Sequence, residues 1–129
     1  MKSKITLIIT FLLVQFSFGQ WTQIGADING EAAFDRLADL RQLAISADGT
    51  IVAAGAPGKD DVGSNSGQVR VYKHINNQWN QIYGNIDGTS GEEIGQSIQL
   101  TRDGTQVIIG TNSYSSSVLI YSDLLTAGL

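Results

Sequence analysis

The chain has no cysteine, one proline (Pro57), one histidine (His74) and one methionine, which is its first residue. Each absence removes a class of chemistry. Without cysteine there is no disulfide framework, no thiol nucleophile, no lipid-attachment residue after a leader and no cysteine-containing zinc site. A lone histidine with no cysteine cannot supply the usual ligand count of a transition-metal site. No G-x-S-x-G elbow is present, so His74 has no serine nucleophile of that kind to activate. No Asn-x-Ser/Thr sequon occurs, which leaves no acceptor for N-linked sugar. Charge is also sparse, at 16% of residues, with 8 basic against 12 acidic. An acidic balance argues against nucleic acid and anionic membrane as partners.

The amino terminus reads as a leader. Lys2 and Lys4 precede an apolar run over residues 5–14, and Phe16, Ser17, Phe18 and Gly19 close it. Small Ser17 and Gly19 stand at the minus-three and minus-one positions of a cut before Gln20, the layout of a secretory signal peptide. The alternative is a membrane anchor. The run is short for a bilayer span and is interrupted by Gln15, which favours cleavage and no stable membrane insertion afterwards. Residues 1–19 are expected to be a signal peptide, and the mature chain to be secreted or held in the cell envelope. Loss of the two lysines leaves six basic residues against 12 acidic ones, a net charge of −6.

What the chain does have is an internal echo. WTQIGADING at residues 21–30 returns as WNQIYGNIDG at residues 79–88, with Trp21/Trp79, Gln23/Gln81, Ile24/Ile82, Ile28/Ile86 and Gly30/Gly88 in register. LAISADGTIVAAGA at residues 43–56 answers to IQLTRDGTQVIIGT at residues 98–111, and QVRVY at 68–72 to SVLIY at 117–121. Three blocks matched in the same order mark a repeat, whose unit is a supersecondary module that cannot bury its apolar face alone. Residues 20–129 are read as one repeat region, with units at about 21–78 and 79–122.

Local chemistry makes the unit a β meander. SIQLT at residues 97–101 alternates polar and apolar with period two, as a half-buried strand does. Asp103-Gly104 is a hairpin signal, because both residue types accept positive φ, and Asp48-Gly49 repeats it. VRVYK at 69–73 alternates again, and Asn76-Asn77 turns the chain into WNQIYG. The order is strand, DG turn, strand, long loop, strand, NN turn, strand. The predicted fold is all-β: antiparallel four-strand meander repeats, the unit of a β-propeller blade. One blade is expected over residues 40–83, a second without its Trp strand over 94–122, and residues 21–25 as an outer strand. That is about one and a half blades, and a propeller needs about four or more. The expectation is an incomplete array: a fragment, a truncated product or a subunit that assembles with others.

Matched alternation places Ile45, Val52, Ala54, Val69, Val71, Ile98, Leu100, Val107, Ile109, Val118 and Ile120 in the expected core. Residues 31–43, EAAFDRLADLRQL, have helix-favouring composition. They are read as a loop with one helical turn near 31–38, a helix being the alternative.

These blocks resemble the FG-GAP-like repeats of integrin-alpha-type β-propellers, in a variant found in secreted bacterial and algal repeat proteins. The variant reads roughly W-x-Q-x-G-x-x-I-x-G, then S-x-D-G-x-x-x-A-x-G-A, then G-x-V-x-V-Y. Trp21, Gln23, Gly25, Ile28 and Gly30 meet the first pattern, Ser46, Asp48, Gly49, Ala53, Gly55 and Ala56 the second, and Gly67, Val69, Val71 and Tyr72 the third. The resemblance implies propeller blades and a binding or adhesive role. Departures are Leu40 where Gly95 keeps the expected glycine, Tyr83 for glycine, and Thr111 and Asn112 for Ala56 and Pro57. The calcium loop that integrin-type blades carry between their first strands has no counterpart in SADGT or TRDGT, which are short and poor in carboxylate.

Other motifs weigh as follows. GAPGKDD at residues 55–61 fails as a phosphate loop, because Ala53 stands where its first glycine belongs and Asp60 where its hydroxyl belongs. Pro57 and Gly58 read as turn residues instead. In DDVGSNSG at residues 60–67, Asp60, Asp61 and Asn65 are the candidate calcium ligands. The bidentate glutamate of such a loop is missing, since Tyr72 holds its place, and a solvated loop is the default. His74 reads as an exposed residue before the NN turn, and Glu92-Glu93 as a solvated turn rather than an acid–base pair. Trp21 and Trp79 could stack on sugar rings, but their fixed place in the repeat argues first for packing.

No reactive groups converge in the sequence. The leading expectation is a non-enzymatic interaction or adhesion module without a cofactor, whose protein or glycan partner is not specified. The alternatives are a carbohydrate-binding propeller assisted by calcium, and a non-functional fragment of a longer repeat protein. An enzyme ranks last, because propeller active sites draw polar groups from several blades. Open strand edges, with no charged residue between Gln106 and Ser122, predict self-association.

Overall fold

A computed structural model of the chain describes residues 19–113 and 116–122. Apart from Gly19, the expected leader lies outside the described residues. Within them the protein is all-β, with no helix. Strands β1 (Leu43–Ile45), β2 (Ile51–Ala56), β3 (Gln68–Ile75) and β4 (Gln78–Asp87) form one antiparallel sheet in that order. Strands β5 (Ser97–Leu100), β6 (Val107–Gly110) and β7 (Val118–Tyr121) form a second. Residues 21–25, expected to be an outer strand, belong to neither sheet.

The two DG turns are chemical copies. Ser46 Oγ donates to Asp48 Oδ1 at 2.6 Å, and the Thr50 N–H and hydroxyl donate to the same oxygen at 3.0 and 2.9 Å. Thr101 Oγ1, the Thr105 N–H and the Thr105 hydroxyl do the same to Asp103 Oδ1, at 2.6, 3.1 and 2.9 Å. A short carboxylate that ties its own backbone two residues on is what makes Asp a turn former. Gly49 and Gly104 follow at φ +74° and +71°. Asn76 and Asn77, at φ +51° and +61°, join β3 to β4, the backbone that a two-residue hairpin favours. The two DG turns also touch, since the Ala47 N–H donates to the Arg102 carbonyl at 2.8 Å.

The sheets stack face to face. Ile51, Ala53, Val69 and Val71 of the first sheet meet Ile98, Val107 and Ile109 of the second, with Ile94 between them and Ala44, Ile82, Ile86, Leu100 and Leu119 at the margin. Register decides this. Ala44, Ala53 and Val71 lie in one row across β1, β2 and β3, and Ile98, Ile109 and Leu119 in one row across β5, β6 and β7. Gly55 is required where β2 crosses the loop before β5, because a Cβ there would collide with the Gly95 carbonyl oxygen.

The core differs from the sequence expectation in phase at three positions. Ile45, Val118 and Ile120 are 59%, 66% and 64% exposed, not buried. Successive side chains of a strand take opposite faces; Ala44 and Leu119 take the inner face, so their neighbours turn outward. Val52 and Ala54 are buried as expected, but on the other face of the first sheet, beneath the segment that precedes β1. That segment is no helix either. Phe34, Arg36, Ala38 and Leu40 alternate through left-handed backbone, at φ +74°, +56°, +57° and +51°. The helical turn expected near residues 31–38 therefore does not form, and Ala38 instead donates its N–H to the Gly55 carbonyl at 2.9 Å.

Candidate functional site

The second face of the first sheet is polar at one end and apolar at the other. Gln68, Arg70 and Tyr72 alternate along β3 onto this face, opposite Ala56, Ala54 and Val52 of β2. The small alanines leave room above them, and the segment before β1 fills it.

At the polar end Lys59 is the hub. Its ammonium lies 2.8 Å from Glu31, 3.3 Å from Asp35 and 3.3 Å from Asp61, with the lysine side chain only 7% exposed. Arg70 Nη1 donates to Glu31 Oε1 at 3.2 Å. Glu31 thus bridges two buried cations, and its carboxyl is held below the usual carboxylate range, first by the hydrogen bond from Lys59 and then by the charge of Arg70. Those carboxylates in turn raise the pKa of Lys59 and keep it charged. Burial raises the Tyr72 phenol above its ordinary value. Gln68 Nε2 donates to Asp87 at 2.8 Å and Asp61 at 3.4 Å, closing the cluster on β4. Among the described residues Arg70 Nε and Nη2 and Gln68 Oε1 have no hydrogen-bond partner. Three carboxylates and two cations are locked together, an arrangement suited to fixing the segment in place.

At the apolar end the same segment leaves a groove of about 320 Å³, lined by Ile24, Ala26, Ile28, Leu37, Leu43, Val52, Ala54 and Trp79, with Gln23 and Asp27 as its polar members. The volume lies at the lower limit for small-ligand sites. Trp79 is built into the wall: its indole N–H donates to the Ile24 carbonyl at 3.0 Å, and its ring lies 5.0 Å from that of His74. Trp21 is fully exposed.

The candidate calcium ligands are close in sequence and separate in role. Asp60 accepts the Asn65 N–H at 2.6 Å, closing its own loop, whereas Asp61 faces Lys59 and Gln68. Among the described residues no three His, Cys, Asp or Glu side chains group as metal ligands. His74 is half-buried against Trp79 rather than exposed. Glu92 and Glu93 turn apart. Glu92 accepts from Thr89, and Glu93 from Gln96 and Asn112.

The ion cluster went unread in the sequence because its members are spread from residue 31 to residue 70. Its one local sign is Arg70, a charge between the apolar Val69 and Val71 of β3. Among the described residues no helix is long and apolar enough to cross a membrane. Compared with family models, curated proteins and solved structures, the chain matches none.

Proposed function

We propose that the chain is an exported, non-enzymatic interaction module built from β-propeller-type blades, of the integrin-alpha-like kind that its motifs resemble. The observation that carries this reading is the sense in which the two sheets stack. Ala53, Val69 and Val71 of the first sheet cover Val107 and Ile109 of the second. By the repeat, Val107 and Ile109 correspond to Val52 and Ala54, which lie on the opposite face of the first sheet. Equivalent units therefore stack front to back, the relation that an array of blades requires. The leader pattern of residues 1–19 supports export. The non-enzymatic reading is supported by where the charged groups are spent: Asp48 and Asp103 on turns, and Glu31, Asp35, Lys59 and Arg70 on one another.

The groove beside Trp79 is the binding surface of this reading, and its apolar wall suits a short apolar segment of a protein partner. The sugar-binding alternative draws on Trp21, whose ring is free on both faces. One experiment separates them: the purified chain is probed in parallel against a random-peptide display library and a glycan array, each with calcium and with chelator. The expected result is peptide ligands whose binding drops about tenfold when Ala26→Trp fills the groove. Glycan hits that vanish with Trp21→Ala would establish the alternative instead, and no ligand in either arm would remove both.

A further inference from the structure

Among the described residues β7 lacks a partner that its counterpart has. β3 and β7 are repeat equivalents, Val69, Val71 and Tyr72 matching Val118, Ile120 and Tyr121. β3 is flanked on both sides, by β2 and β4; among the described residues β7 pairs with β6 alone. Its outer face is apolar, with Val118 and Ile120 mostly exposed.

The chain also carries a second copy of β4 that pairs with no strand among the described residues. Residues 21–30 repeat the β4 sequence and hold its local shape outside any sheet. β4 is irregular opposite Arg70, where the register shifts between Val69 and Val71. There Tyr83 takes φ +70°, and its equivalent Gly25 takes φ +71°. Gln81 Nε2 donates to Asn85 Oδ1 across the irregularity at 2.8 Å. The equivalent Gln23 Nε2 donates to Asp27 Oδ1 at 2.6 Å. A segment with the bulge and the side-chain clamp of an edge strand, but no sheet, is a preformed strand waiting for an edge.

We propose that residues 21–30 of one copy add to β7 of a second copy as its fourth strand. The β3–β4 register sets the register of the joint. Val71 faces Ile82, Tyr72 faces Gln81 and Val69 faces Ile86; hence Ile120 faces Ile24 of the donor, Tyr121 faces Gln23 and Val118 faces Ile28. A second copy is the occupant because the matching strand is part of this chain and is largely exposed, Ile24 at 53%. The donor does not serve its own β7, because it is held on the far face of the first sheet by the Trp79 bond to the Ile24 carbonyl. Donation exchanges that bond for a strand ladder. It also continues the front-to-back stacking, since β1 of the donor copy follows its strand just as β5 follows β4. Donation takes Ile24, Ala26 and Ile28 out of the groove wall, so a joined copy and a filled groove exclude one another.

The absence of native cysteine makes the test direct. Full-length Ile24→Cys and Ile120→Cys chains are mixed and mildly oxidised, and the dimers identified by mass spectrometry. The expected result is a 24–120 disulfide at least tenfold more abundant than 24–24 or 120–120 links, and at least tenfold above a 24–118 link from Val118→Cys. In sedimentation, Ile24→Lys and Ile120→Lys chains should each be monomeric, and their mixture should give one-to-one dimers, because one supplies an intact donor and the other an intact edge. Circular dichroism checks the fold of both; the cysteine arm stands alone if a lysine variant misfolds. Statistical cross-linking would overturn the proposal. So would a monomeric wild type without the 24–120 link, which would leave the edge to an unrelated strand. A 24–120 bond within one monomer of an Ile24→Cys/Ile120→Cys chain would overturn it too.

Discussion

Gly25 and Tyr83 share one backbone conformation, φ +71° and +70°, although one is a glycine and the other a large aromatic. They stand at the same place in the repeat, so the left-handed kink belongs to the unit and not to the residue. The glycine copy is further constrained, because a Cβ at Gly25 would come 2.8 Å from Trp79 Cδ1. Left-handed backbone costs a non-glycine residue about 1–2 kcal/mol. Gly25→Ala should therefore loosen residues 21–30 from Trp79 while leaving both sheets intact. Hydrogen exchange should quicken in that segment alone, and Trp fluorescence should shift to the red. Unchanged exchange there would mean that the kink is not what seats the segment.

The burial of Val71 and Ile109, at 2% and 0% exposure against 64% for Ile120, sets up a contrast. Val71→Asp and Ile109→Asp each place a charge between the sheets, at a cost of about 4 kcal/mol or more. Both should abolish the β-type circular dichroism spectrum, and Ile120→Asp should keep it. Loss of the spectrum in all three would mean that Ile120 is buried after all.

That contrast also shows where the sequence was legible. The DG and NN turns and the order of strands were readable because turn chemistry is local: Asp48 and Asp103 clamp residues two positions away. The phase of β1 and β7 was not. VLIY offers apolar residues to both faces, so the pattern has no polar face to break the tie. Residues 31–42 misled in another way. Their helix-favouring side chains are overruled by contacts that sequence proximity does not reveal, Glu31 and Asp35 to Lys59 and Ala38 to Gly55.

Removing Lys59 should be costly. Lys59→Met leaves Asp35, itself 6% exposed, buried without its cation, an effect of about 3 kcal/mol. Urea unfolding should show the loss, and adding Asp35→Leu should recover part of it. A Lys59→Met chain as stable as the wild type would demote the cluster to a surface feature.

Acid should weaken the fold in a defined window. The Asp48 and Glu31 carboxyls are held below their ordinary values, the first by Ser46 and the second by Lys59, and the hydrogen bond from Thr101 helps hold Asp103 down to about 2. Groups whose folded pKa is depressed add stability above their unfolded pKa and lose it as pH falls through the folded one. The melting temperature should fall between about pH 5 and about pH 2, and Asp103→Asn should flatten the lower part of that slope. A pH-independent melt over this range would contradict the turn clamps.

Calcium should leave the melting temperature where it is. Asp61 already faces the Lys59 ammonium and Asp60 the Asn65 N–H, so a cation would have to displace contacts of both. Differential scanning fluorimetry with millimolar calcium or chelator tests this, and a saturable rise with calcium would restore Asp60, Asp61 and Asn65 as ligands.

The position of Glu31 has a mechanical consequence. It directly follows the unpaired strand-like segment, and it is fastened to Lys59 in the loop after β2 and to Arg70 on β3. A pull on residues 21–30 cannot peel β1 from β2 until that fastening slips. Tension along a row of joined copies would thus enter each molecule through its ion cluster. Glu31 and Asp61, the half-exposed legs of that cluster at 49% and 51% side-chain exposure, are the parts that dissolved salt can reach and soften.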